Sequence, residues 1–114
     1  MSMTIKHTRG PWAALPEEHD KPYLRVRGTR LGERYKVANV LGAGYEGALP
    51  CEADETRANA SLITAAPELL AALQVLLERY TGLVNCGDCG NWDPEKESSV
   101  IAARHALARA GCAA

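Results

Sequence analysis

Two patterns in this chain have residue types and spacings that could do chemistry, and the sharper is Cys86-Gly87-Asp88-Cys89-Gly90. Two thiolates with two residues between them, one a glycine, can turn both sulfurs inward as half of a tetrahedral zinc site, and the trailing glycine relieves the backbone. A structural site needs four ligands, so Cys51, Cys112 or His105 would have to complete it from distant positions. The same spacing serves redox pairs, but those are activated at a helix N-terminus, and the next predicted helix starts four residues after Cys89. Two reduced thiols in a tight loop are the third possibility.

The second pattern is a set of arginines. Arg25 and Arg27 stand on the polar face of a predicted strand, Arg30 in the loop after it, Arg34 and Lys36 on the next strand, and Arg109 in the last turn of the last helix. Fork-shaped guanidinium donors suit phosphate and carboxylate groups. An anionic ligand held by Arg25, Arg27, Arg30 and Arg109 is therefore one expectation, and a charged sheet face that keeps the chain soluble is the other. Residues 1 to 41 hold eight Lys/Arg against four Asp/Glu, a balance of +4, and residues 42 to 114 hold five against ten, a balance of −5. Halves of opposite sign can also attract each other within the fold or across a dimer.

Other motifs do not reach a mechanism. Gly42-Ala43-Gly44-Tyr45-Glu46-Gly47 matches GxGxxG after a predicted strand. Ala48-Leu49-Pro50-Cys51 then interrupts the helix that a dinucleotide fingerprint must open, and the next segment is helical rather than a second parallel strand. No GxSxG, HExxH or P-loop sequence occurs. The carboxylates Glu17, Glu18 and Asp20, and again Asp93, Glu95 and Glu97, fall in a loop and at a helix start without a visible acid/base partner. The expectation is a protein that is not an enzyme and takes no cofactor.

The elements that must position these residues follow from periodicity. At 114 residues there is room for one domain, and 46% hydrophobic with 24% charged residues is the balance of an ordinary globular protein. The fold class expected is α+β: a small N-terminal antiparallel sheet, then three helices, with residues 1–52 as the β-rich half and 53–114 as the helical half. Gly10-Pro11 forms a turn that delivers Trp12 to the core. Tyr23 to Arg27 alternates, with Leu24 and Val26 on one face, and a five-residue loop, Gly28 to Gly32, leads to a second strand with Tyr35, Val37, Asn39 and Leu41 on one side. From Asp54, an N-cap candidate, Ala58, Leu62, Ile63 and Ala66 recur at helical spacing until Pro67, which should break or kink the helix. A second helix restarts at Pro67, with Leu69, Leu70, Leu73, Leu76, Leu77 and Tyr80 as its apolar stripe and Gly82 as its cap. Ala71 and Ala72 on its other side are small enough to admit a helix from a second subunit. The third helix has Asp93 as N-cap, Pro94 at its first position, a thinner stripe of Val100, Ile101, Leu107 and Ala108, and Gly111 beyond its end.

Localisation follows from similar arguments. The longest uncharged run, Ala58 to Pro67, falls short of the ~20 residues a bilayer span needs, and the N-terminus has no apolar stretch of a secretory signal. A cytoplasmic, reducing setting is expected, in which four cysteines are thiols or ligands rather than a disulfide framework. The net charge of −1 argues against a general nucleic-acid binder.

Two segments carry a resemblance. His7-Thr8-Arg9-Gly10-Pro11-Trp12 resembles the His-Thr-Pro-Gly-Pro-Trp start of a family of small phage and prophage proteins. Asn59-Ala60-Ser61-Leu62-Ile63-Thr64-Ala65-Ala66-Pro67-Glu68-Leu69-Leu70-Ala71-Ala72-Leu73 resembles that family's core run, Asn-Ala-Arg-Leu-Ile-Ala-Ala-Ala-Pro-Glu-Leu-Leu-Glu-Ala-Leu. The chain departs at positions that include Arg9, Ser61 and Thr64, and the two segments together span 21 of its 114 residues. The resemblance implies a phage accessory protein with no site residues to carry over. The phage setting suggests as partner a bacterial defence protein or an anionic small-molecule signal that the protein sequesters, and a homodimer is expected separately, from a hairpin that is marginal alone and the alanine-rich side of the second helix. A zinc-stabilised interaction module built on Cys86 and Cys89 is the alternative.

Overall fold

A computed structural model of the chain describes residues 6–18, 20–41, 50–86 and 93–111, the side chains of residues 50, 85 and 86 excepted. Three strands, β1 (Trp12–Ala14), β2 (Tyr23–Gly28) and β3 (Lys36–Leu41), form an antiparallel sheet in the order β1-β2-β3. Two helices follow, α1 (Pro50–Cys86) and α2 (Ser98–Arg109), with a 3-10 turn over Pro94–Lys96 before α2. The contacts divide the chain into two compact units, one holding Ser2–Glu68 and the other Leu69–Ala114.

In the sheet unit, direct pairing of Leu24 with Val40 and of Val26 with Ala38 puts four apolar side chains on one face. Leu24, Val26 and Val40 are buried against Ala60 of α1, with Trp12, Val37, Ala38 and Ile63 around them, and Val26 at 0% exposure is the centre. Asn39 and Leu41 share the other side, opposite Arg25 and Tyr23. The alternation does not run the length of β3, because the register shifts between Val26 and Arg27 and leaves Val37 as an extra residue, a bulge. Gly28 lets the hairpin close: its N–H donates to Tyr35 O at 2.7 Å, and a Cβ there would lie 2.4 Å from Arg34 O. Buried Thr56 ties helix to sheet, its hydroxyl shared between Glu52 O at 2.9 Å and Leu41 O at 3.4 Å.

In the helical unit, Leu77, Val100 and Leu107 are buried together, flanked by Leu70, Leu73 and Ala103. The Asp93 carboxylate accepts from Glu95 N at 3.0 Å and caps the 3-10 turn. Tyr80 donates its hydroxyl to the Glu97 carboxylate, and Arg104 grips Glu95, with Nη2 to Oε2 at 2.7 Å. Gly111 at φ +87 follows the end of α2, the left-handed position expected of it.

Three expectations are corrected here. There are two helices and not three, because α1 runs through Pro67 without ending. An interior proline forfeits one helical hydrogen bond and crowds the carbonyl four residues back, at a cost of about 3 kcal/mol. The packed residues on both sides offset that cost: Ile63 lies on the sheet core, and Leu70 and Leu73 on the α2 core. The helix also starts at Pro50 rather than at an Asp54 cap, and it passes Gly82 to reach Cys86. Proline suits the first helical position, where its missing N–H has no intrahelical partner to lose. The third helix likewise begins at Ser98, the Asp93 cap having served the 3-10 turn.

α1 is long and apolar enough over Cys51–Val84 to cross a membrane, by length and composition only. The criterion of an uncharged run had excluded this, because Glu68 interrupts the run without ending the helix.

Candidate functional site

Of the arginines expected to bind an anion, three lie in the sheet unit, each with hydrogen-bond partners of its own. Arg25 is half-buried, and its Nη2 pairs with Glu18 Oε1 at 2.9 Å and donates to Pro16 O at 3.3 Å. Arg27 departs from the expected exposed face: it is buried, and its guanidinium is used inside the sheet. Its Nη1 donates to Val26 O at 2.9 Å and Ala38 O at 3.0 Å, its Nη2 donates to Asn39 Oδ1 at 3.1 Å, and its Cζ lies 5.9 Å from the Tyr35 ring centre. The bulge at Val37 breaks the ladder there, and Arg27 reaches Ala38 O beside the break. Arg30 is exposed and donates from Nε to Gly10 O at 2.7 Å. Arg109 is exposed at the end of α2, in the other unit.

Cys89, the Cys86 side chain and the Gly42 to Gly47 loop lie outside the described residues. Cys51 is an exposed free thiol, and among the described residues no three His, Cys, Asp or Glu side chains are grouped as metal ligands.

A basic residue that the sequence did not single out makes the best ion pair of this unit. Arg57 on α1 meets both Glu17 carboxylate oxygens, Nε to Oε2 at 3.1 Å and Nη2 to Oε1 at 3.2 Å, and its Nη1 meets Asp54 Oδ1 at 3.1 Å. The hydrogen bonds that Arg57 donates to Glu17, then the Glu17 charge, raise the Arg57 pKa above the usual arginine value. The pair lies in an open groove of about 320 Å³ whose walls include Ala14, Leu15, Pro16, Leu24 and Ala60. With two carboxylates already on its only guanidinium, this groove has no surplus positive charge for an anion.

Free cationic groups stand instead on the β2–β3 hairpin. Glu33 N donates to Arg30 O at 3.3 Å across a turn whose third residue, Gly32, has φ +80, a conformation glycine supplies without strain. Thr29 Oγ1 donates to Pro11 O at 2.7 Å, and with the Arg30 to Gly10 bond it ties the hairpin to the segment before β1. At the tip Leu31 is fully exposed, and Tyr35, Arg34 and Lys36 are exposed after it. Arg34 and Lys36 carry no ion pair among the described residues. The signal for this surface was a lone leucine inside Gly28-Thr29-Arg30-Leu31-Gly32, where no strand or helix period requires one.

Against known proteins, the family model described as Salmonella phage P22 protein Y8K6 matches residues 3–114. No curated protein and no solved structure matches the chain.

Proposed function

The chain belongs to the Salmonella phage P22 protein Y8K6 family, and from that premise we propose a non-enzymatic phage accessory protein that captures a host protein through its β2–β3 hairpin. The observation that carries the proposal is the hairpin tip, where a fully exposed leucine and an exposed tyrosine stand among unpaired cations on a braced turn. Tyrosine and arginine are enriched at protein-binding hot spots, and the exposed leucine beside them adds apolar surface. The partner surface it fits is apolar with acidic groups at its rim. A defence component is the target class that a phage setting suggests. A protein is favoured over a small anionic signal because the tip is convex, and Arg25 and Arg27 are already matched by Glu18, Asn39 and backbone carbonyls.

The test begins with capture from a host extract and continues by calorimetry with the purified partner. A Leu31→Asp, Arg34→Glu, Lys36→Glu variant is expected to lose binding, and an Arg109→Ala variant to keep it. Binding that persists in the triple variant overturns the assignment. Tight binding of a cyclic or ADP-ribose-type nucleotide, abolished by Arg30→Ala, would return the site to the anion-binding arginines.

A further inference from the structure

The second half of α1 carries large apolar side chains that nothing in the described structure covers. Leu69, Leu76 and Leu83 are 52%, 66% and 73% exposed, Val75 is 55% exposed, and Ala72 is exposed between them. Leucines seven residues apart drift only about 20° per repeat on an α-helix, so these three form one line along its surface. The neighbouring Leu70, Leu73 and Leu77 turn the other way, into the α2 core.

We propose that this line is the seam of a homodimer in which two copies of α1 pair antiparallel about a twofold axis. Two observations name a second copy as the occupant. The first is charge. At about 100° per residue, Arg79 and Glu68 lie about 60° and about 80° round the helix from Leu76, on the same flank. In an antiparallel twofold pair each flank faces its own copy, so Glu68 of one protomer meets Arg79 of its partner, twice, in the register that seats Leu76 over Ala72. Neither residue carries an ion pair among the described residues. A parallel pair would set that flank against Leu73 and Tyr80 and leave both charges unmatched. The second observation is area. The exposed parts of Leu69, Val75, Leu76, Leu83, Ala72 and Tyr80 amount to roughly 500 Å² per chain, or about 1,000 Å² for a pair, the lower bound of a specific interface. An interface of this size belongs to weak, reversible association. The seam is separate from the hairpin tip and does not depend on the function proposed for it.

Sedimentation equilibrium of the full chain reads the outcome. The wild type is expected to show a dimer mass at concentrations of about 50 μM and to dissociate below about 1 μM. Leu76→Lys is expected to be monomeric with unchanged helical circular dichroism. Arg79→Glu should weaken the dimer about tenfold, and adding Glu68→Arg should restore it. The exposed Arg79 keeps the test valid if Leu76→Lys fails to fold. A monomer mass for the wild type, a charge swap that restores nothing, or chain that pellets with phosphatidylcholine vesicles rather than pairing in buffer would each overturn the proposal. Leu76→Lys should still bind the hairpin's partner, so the two surfaces can fail separately.

Discussion

The two units use their side chains in opposite ways. In Ser2–Glu68 the buried cluster gathers residues from β2, β3 and α1, and three arginines are spent within the unit: Arg25 on Glu18, Arg27 on the sheet, Arg57 on Glu17 and Asp54. In Leu69–Ala114 three buried residues make the whole cluster, and leucines face outward. Polar self-satisfaction fixes the first unit's shape and engages Arg25 and Arg27, two of the four arginines expected to bind a ligand. The second unit leaves its binding capacity in apolar surface.

The largest expected effect separates the units. Leu77→Ala removes one of three buried side chains and should cost about 3 kcal/mol or more. Amide exchange should rise over residues 98–109 while β2 stays protected. If protection in β2 collapses with it, the units are one cooperative body and the comparison fails.

A smaller effect sharpens the account of the arginines. Arg27→Met strands Asn39 Oδ1 and the Ala38 carbonyl without their charged donor and should cost about 2 kcal/mol in urea unfolding. Arg30→Ala, at an exposed site, should cost less than about 1 kcal/mol. Equal losses would mean that Arg27 is as dispensable as a surface charge.

Between these lies Gly28→Ala. Its Cβ would meet the backbone oxygen of Arg34 at 2.4 Å, so strands and not a side chain must move, and a loss of about 1 to 3 kcal/mol is expected from thermal unfolding. An unchanged melting temperature would show that the hairpin closes without that contact.

The smallest effect is at Arg104, whose pKa is raised chiefly by its hydrogen bond to Glu95. A raised value in the folded state adds stability that is present below the ordinary arginine pKa and lost only above it. Arg104→Ala should therefore cost less than about 1 kcal/mol, with no change in that loss between neutral and mildly alkaline buffer and with a reduction in high salt.

Much of the fold was legible because its signals are local. Alternation at Leu24 and Val26 and the glycine after α2 each depend on a few neighbours, and each is where it was expected. Pro67 was misjudged because its effect is set by what holds the helix on either side, which single-residue preference does not contain. Leu69 and Leu76 were assigned to a buried stripe because an apolar arc wider than its partner looks the same in sequence as a buried one. The arginines show the same limit from the polar side. A periodic face tells where Arg27 starts, and only the bulge on β3 tells where its guanidinium ends.

Gly10 lies directly against Pro67 of α1. A Cβ on Gly10 would stand 2.8 Å from Pro67 Cβ, and the Glu68 carboxylate would lie 3.3 Å away. These residues belong to the two segments that carry the phage-family resemblance, far apart in the chain and touching in the fold. Two segments far apart in the chain thus meet at one joint. Its residues constrain each other as lock and bolt do, so Gly10→Ala should be harmful alone and milder beside Pro67→Ala.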